Sequence, residues 1–482
     1  MNHTFINSDA IRHKFSKAMS AMYQAEVPLY GDLLDLVAEV NAEVLSLHPD
    51  IKEQLAHTGE IDRLSMERHG AIRLGTADEL SMMRRLFAVM GMHPVGYYDL
   101  APAGVPVHST AFRAIDAQAL NQSPFRVFTS LLRLDLIADE VLKQEASSAL
   151  ANRNIFTDTV VSLIERFEAQ GGLTAEESEQ FIKEALETFG WHDKTPVSKE
   201  LYQRLLEQHG LIADVVGFKG PHINHLTPRT LDIDTVQQGM QARGIPPKAI
   251  IEGPPKRECP ILLRQTSFKA LQEAVRFKKP NGEYEEGHHT ARFGEIEQRG
   301  VALTPKGRAL YDQLLSQARK QLGATPNADN ASQYYQILEK AFDAFPDDYH
   351  TMHNEDLAYF YYQPADGEAD INSAMLSLEE AVDVQDGAAK QAINALIEKG
   401  AIRIEPIVYE DFLPVSAAGI FQSNLQQDKQ SNYDGNSNQH EFEQALGASI
   451  YDELALYKEI QAQSLKECIN ALSSCVQKSD YV

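Results

Sequence analysis

The stretch Glu67-Arg68-His69-Gly70-Ala71-Ile72-Arg73-Leu74-Gly75 reads as a short strand. Thr76 with Glu79 three residues on is a capping-box signal. The helix it opens carries Leu80, Met83, Leu86, Phe87 and Met90 on one face and stops at Gly91, ahead of Met92-His93-Pro94. A second stretch repeats that order. Phe218-Lys219-Gly220-Pro221-His222-Ile223-Asn224-His225 leads through Arg229 into a shorter helix at about 234–243, with Val236 and Met240 on one face, and then Gly244-Ile245-Pro246-Pro247. A doubled strand–helix unit with one ligand-type histidine per copy, His69 and His225, is a way to build a metal site between two halves of a sheet.

Outward from these units, strand-like runs fall at 108–115, 125–132, 261–268, 288–303 and 401–410. Residues 7–48 read as two helices broken near Pro28. The segments at about 135–215 and 305–400 are helical in pattern and look like insertions, and an amphipathic helix covers about 441–475. The polar run 426–440 reads as a mobile loop. The expected fold class is therefore α+β, one compact unit over 1–482. Its sheet core draws on about 60–132, 216–304 and 401–425.

Composition narrows the function. The chain has 482 residues, 43% hydrophobic and 23% charged, as in ordinary globular proteins. No apolar run approaches the ~20 residues of a membrane span, and Met1-Asn2-His3-Thr4 does not open a secretory signal. Cys259, Cys468 and Cys475 have no metal-binding spacing, so a cytoplasmic protein with reduced thiols is expected. A net charge of −25 argues against nucleic acid and anionic membranes as partners. It also means that an anionic substrate needs arginine or lysine inside its pocket. The sequence leaves the oligomeric state open. No glycine-rich phosphate loop, GxSxG or HExxH occurs, so nucleotide chemistry and serine hydrolysis have no support.

Side chains alternate along a strand, so His69, Ala71 and Arg73 face one way. A histidine ligand and an arginine two steps along can line one cavity, the arginine gripping a carboxylate with its planar fork. His222 and His225 fall on opposite faces, and His225 matches His69 in the repeat. A later strand, Arg292-Phe293-Gly294-Glu295-Ile296-Glu297, offers two carboxylates on one face, which spacing cannot separate. Gly294 favours Glu295, by letting a metal site approach the backbone. Two imidazoles and one carboxylate make the facial triad of non-haem Fe(II) oxygenases. His288 and His289 are adjacent and point apart. His350 and His353 have helical i,i+3 spacing but sit among acidic residues, as on a solvated face.

Four segments, 68–73, 220–229, 291–300 and Tyr409-Glu410-Asp411-Phe412-Leu413-Pro414-Val415-Ser416, together resemble the 2-oxoadipate dioxygenase/decarboxylase family, also called 2-hydroxyglutarate synthase. The resemblance runs over nearly the whole chain. It implies a vicinal-oxygen-chelate-like fold, a curled β-sheet built from two βαβββ-type halves with large helical insertions. It implies Fe(II) held by His69, His225 and Glu295, with Arg73 on the distal carboxylate of a small 2-oxo dicarboxylic acid. Val415 and Ser416 would help close the substrate pocket. The implied reaction takes 2-oxoadipate and O2 to 2-hydroxyglutarate and CO2, in lysine breakdown. Two other classes compete: a glyoxalase-like lyase or isomerase using its metal as a Lewis acid without O2, and a non-enzymatic acidic binding protein with structural histidines.

Overall fold

In a computed structural model of the chain, residues 4–290, 292–365, 387–413 and 438–479 are described. The fold is α+β. Its centre is a five-stranded mixed sheet in the order β2-β3-β4-β1-β5, from β1 (Arg68–Leu74), β2 (His93–Asp99), β3 (Val107–Arg113), β4 (Phe125–Leu132) and β5 (Leu226–Pro228). Between β1 and β2 runs the helix Ala77–Val89. The first half is thus strand, helix and a three-stranded meander. β1 returns parallel to β4 and pairs antiparallel to β5 on its other side, with His69 opposite Thr227.

Local chemistry explains why these elements start and stop where they do. Thr76 accepts a hydrogen bond from the Glu79 amide, capping the helix after β1. Asp232 does the same through Thr235 for the helix Ile233–Ala242 after β5. Gly91 and Gly244, past the ends of the two helices, have φ of +64° and +71°, where a β-carbon would be strained. Pro28 begins the second N-terminal helix, Pro28–Leu47, where its missing amide proton loses no bond.

The second half departs from the first. β6 (Leu263–Ser267) pairs antiparallel with β9 (Glu295–Arg299). Between them in sequence, β7 (Gln272–Lys278) and β8 (Tyr284–Thr290) form a separate two-stranded ribbon. A parallel bridge from Arg229 to Glu297 joins β9 to the end of β5. Several strands were not legible in the sequence. β2 contains Pro94, tolerated because β2 is an edge strand. β7 alternates mostly exposed and buried positions and carries three charged residues. β10 (Phe360–Pro364), paired with β11 (Ile402–Pro406), interrupts the stretch read as helical insertion.

Both faces of the central sheet are covered. Ile72, Leu74, Phe125 and Val127 pack beneath helices that include Ser8–Glu26 and Pro28–Leu47. Ala71, Ala111 and Phe128 face the other way, towards helices from the 135–215 segment, among them Gly210–Gly217. His69 and Arg73 share the face of Ala71, so they point into this second layer. Among the described residues, no helix is long and apolar enough to cross a membrane.

Candidate metal centre

Three strands meet at His69. Beside it, the chain from Asn224 to Thr227 is stitched in from both sides. The Asn224 amide donates to the Ala71 carbonyl, and the Phe293 amide donates to the Asn224 carbonyl. The Tyr23 hydroxyl, from the first helix, lies within bonding distance of the Asn224 and Phe293 carbonyls (2.9 and 2.8 Å). Gly70 permits the approach: a β-carbon there would lie 2.5 Å from Ile223 Cδ1 and 3.3 Å from the His225 carbonyl oxygen.

The result is a buried cluster of His69, His225 and Glu295, whose ligand-type atoms all lie within 4.8 Å of one another. His69 Nε2 is 2.9 Å from Glu295 Oε2. His225 Nδ1 is 3.2 Å from the same oxygen and 3.0 Å from Thr227 Oγ1. The Thr227 hydroxyl donates to Glu295 Oε2 at 2.8 Å. Glu295 Oε1 is buried with no hydrogen-bond partner. An orphaned carboxylate oxygen beside two imidazoles fits a cation-binding role, because buried polar atoms otherwise find partners. Phe293 stacks on His225 at 4.8 Å, and Phe412 meets His69 edge-on at 4.9 Å.

The electrostatics hold His225 and Glu295 in ligand form, while His69 is drawn towards its protonated form by the carboxylates beside it. Burial pushes His225 down to about 4, helped by the charges of His69 and Arg73, so its imidazole is neutral at pH 7. Burial would raise Glu295, but His225, His69 and the Thr227 hydroxyl hold its carboxyl below the usual range. His69 is pushed up despite burial, by Glu297 and Glu295.

Glu295 and Glu297 do share a face, and they take different sides of His69. Glu297 Oε2 lies 2.9 Å from His69 Nδ1, while both its oxygens are forked by Arg299 at 2.9 and 2.8 Å. Gly294 does not serve the approach of a metal site to Glu295, contrary to the expectation from sequence. It makes room for the Phe268 ring, which a β-carbon would meet at 2.1 Å.

Arg73 lies two steps along the same face, buried, with Nη1 2.5 Å from Asp214 Oδ2. His222 turns away from His225 and joins a second buried group, Asp214, His222 and His289. His289 points inward from β8 while His288 is exposed, as alternation requires. His353 is buried and bonded to the Tyr362 hydroxyl at 2.9 Å, which corrects the solvated-face reading for it; His350 is exposed. Val415 and Ser416 lie outside the described residues, as does most of the loop 426–440. The segment before them is pinned by ion pairs. Arg63 forks Glu410 at 2.9 and 3.0 Å, and Arg113 forks Asp411 at 2.7 and 2.9 Å.

Sequence reasoning missed Thr227, Phe293, Phe412 and Asp214. The first three sit inside the motifs already singled out, two residues after His225, two before Glu295 and three before Val415. Asp214 lies on a helix in the 135–215 segment, with no local signal that it reaches Arg73.

A sequence model of the family 2-oxoadipate dioxygenase/decarboxylase matches residues 15–424. A Pseudomonas putida protein named 2-oxoadipate dioxygenase/decarboxylase is 56% identical over 470 residues, 97% of this chain and 98% of its own length. An Escherichia coli K12 protein of the same name is 53% identical over 464 residues, covering 96% and 98%. The crystal structure of the Pseudomonas putida hydroxyglutarate synthase in complex with 2-oxoadipate superposes with a TM-score of 0.86 at 54% identity, covering 97% of this chain and 99% of that one.

Proposed function

The chain belongs to the 2-oxoadipate dioxygenase/decarboxylase family, and from that premise we infer that it converts 2-oxoadipate and O2 to 2-hydroxyglutarate and CO2. The observation that carries the reading is the buried meeting of two imidazoles with a carboxylate whose second oxygen has no partner. His69, His225 and Glu295 are the proposed ligands of Fe(II), a set that leaves coordination positions open for substrate. When bound, Fe(II) supplies the redox chemistry that couples O2 reduction to loss of CO2.

The chain's own residues do the rest. His225 offers a lone pair at physiological pH because burial keeps it unprotonated. Glu295 contributes the anionic charge that a divalent ion requires. Arg73, four strand positions from His69 and on the same face, is the proposed grip on the distal carboxylate, and a strand fixes that separation more firmly than a loop would. Phe293 and Phe412 cover the two imidazoles and keep water from them. Val415 and Ser416 are proposed to close the substrate pocket by backbone contact. We read the whole chain as one catalytic unit with a vicinal-oxygen-chelate-like sheet. Supporting that are the strand–helix–three-strand order of the first half and the repeated strand–helix–glycine start of the second.

The test is anaerobic loading with Fe(II) followed by 2-oxoadipate and air. Stoichiometric O2 uptake with 2-hydroxyglutarate as product is expected. Turnover under argon would reject the reading in favour of a lyase or isomerase.

A further inference from the structure

The second buried cluster is a candidate cation site by composition, since Asp214, His222 and His289 converge within 4.8 Å. Its hydrogen bonds point elsewhere. Asp214 Oδ1 lies 2.8 Å from His289 Nε2 and 3.3 Å from His222 Nε2. Oδ2 takes the Arg73 guanidinium. The other nitrogen of His289, Nδ1, is 2.8 Å from the Tyr202 hydroxyl. A cation would have to displace an arginine from a carboxylate that already has three partners.

We propose that Asp214 is the positioning residue for Arg73 in substrate recognition: it locks the guanidinium at one place beside the metal centre, and so sets the enzyme's preference for 2-oxo acids that end in a second carboxylate. This rests on the reading of Arg73 as the carboxylate grip. An arginine side chain has many rotamers and loses that freedom when its fork engages a ligand. A chain already immobilised before substrate arrives spares that loss on binding, which is what preorganisation means energetically. Asp214 is itself held rigid. It sits on the buried helix Gly210–Gly217, and His289, Tyr202 and His222 fix its orientation from β8, from the preceding helix and from the loop before His225.

The second consequence is electrostatic. Asp214 offsets most of the buried charge of Arg73, so the pocket does not trap any passing anion. Only a carboxylate delivered at the right distance, on a chain anchored by its 2-oxo acid end, then gains from the interaction. Asp214 is hydrogen-bonded or ion-paired to Arg73, His222 and His289 and to none of His69, His225 and Glu295, so it acts on selectivity through Arg73 and not on metal retention.

The experiment compares 2-oxoadipate with 2-oxohexanoate, which has a methyl in place of the distal carboxylate, in the Fe(II)-loaded full chain. The variants are Arg73→Ala, Asp214→Asn and Tyr202→Phe, with iron content measured for each. Asp214→Asn is expected to lower the ratio of kcat/KM for the two substrates at least tenfold. The loss should fall mainly in KM for 2-oxoadipate, with iron stoichiometry held at one per chain. Tyr202→Phe, which leaves the ion pair in place and loosens its support, should move the ratio the same way by about threefold. It decides the matter if Asp214→Asn does not fold. If Arg73→Ala leaves the ratio unchanged, the grip itself is misassigned. If Arg73→Ala collapses the ratio while the Asp214 and Tyr202 variants keep it, the grip stands and the positioning role is overturned. A second equivalent of iron in the wild type, lost in Asp214→Asn, would make the cluster a metal site and equally overturn it.

Discussion

His69 and Glu297 are joined through Nδ1 and Oε2 at 2.9 Å, on the side of the imidazole away from Glu295. The ring is therefore held between two carboxylates, one at each nitrogen. Glu297 is in turn forked by Arg299, whose Nη1 donates to the carbonyls of Tyr409 and Asp411. This is the arrangement by which proteins fix the tautomer and orientation of a metal-binding histidine. It leaves Nε2 facing the site.

Replacing Glu297 by Gln should therefore weaken metal binding without removing a ligand. Partners of this kind are commonly worth 10–100-fold in metal affinity or activity. Titration of the metal-free protein with Co(II), followed in the visible spectrum, should show a dissociation constant raised within that range. An unchanged constant would mean that Glu297 serves only the arginine network around Glu67.

Removal of a proposed ligand is the harsher case. His69→Ala and His225→Ala should each abolish stable Fe(II) binding, because one imidazole and one carboxylate hold such an ion weakly. His222→Ala should retain iron, since His222 belongs to the Asp214 cluster. Iron content after gel filtration separates these outcomes, and loss of iron from His222→Ala with retention in His225→Ala would exchange the two assignments.

Much of this centre could be read from residue alternation alone. His69 and Arg73 lie on one face of β1, and Glu295 and Glu297 on one face of β9, because a strand leaves no other choice. The histidine–helix–glycine repeat was visible because Gly91 and Gly244 both need positive φ. The partners that orient those side chains were not legible. Asp214 reaches Arg73 across 141 residues and Arg299 reaches the Asp411 carbonyl across 112, and nothing local marks such pairs. The strand β2 was hidden by Pro94, and Gly294 carried a packing reason that imitated a functional one.

The metal-free protein should gain stability as pH rises from about 5 to 6.5. His108, His209 and His225 are each pushed down to about 4, in every case first by burial. The unfolded chain then binds more protons than the folded one between about 4 and 6.5, so acid favours unfolding. Glu453 opposes this, since burial raises its carboxyl to about 7 and the folded state holds the extra proton across the same window; His69, raised by Glu297 and Glu295, keeps its contribution through this window and loses it only at higher pH. Three groups against one, at no more than about 1.4 kcal/mol per group and pH unit and less as the histidines approach their unfolded value near 6.5, give a net gain of about 3 kcal/mol over that window. Urea unfolding at pH 5.0, 5.75 and 6.5 measures it; a flat or falling profile would contradict the neutral, buried state of these imidazoles.

Substitution at Arg73 tests recognition separately from chemistry. Arg73→Ala should raise KM for 2-oxoadipate at least thirtyfold while iron stays bound, since losing one partner of a buried, hydrogen-bonded charge pair costs about 2–5 kcal/mol. Arg73→Lys should recover only part of the loss, because an ammonium cannot hold Asp214 and a substrate carboxylate with one planar fork. Steady-state kinetics with 2-oxoadipate decide it, and KM values equal to wild type would remove Arg73 from the pocket.

Gly70→Ala tests whether close backbone approach builds the centre. The new methyl would meet Ile223 Cδ1 at 2.5 Å and the His225 carbonyl oxygen at 3.3 Å. Ile223 is fully buried and has little room to swing aside. The strain falls on the segment that carries His225, and the expected result is a loss of about 1–3 kcal/mol in stability, in the range for overpacked cores. Metal affinity should fall with it, because a displaced His225 no longer shares the Glu295 oxygen with His69. Gly244→Ala provides the contrast: a β-carbon there meets nothing within 4 Å and its φ is +71°, so it should cost backbone strain without altering metal affinity. If Gly70→Ala and Gly244→Ala lower stability alike and leave metal affinity alike, the contact between β1 and the 223–225 segment does not set the ligand geometry.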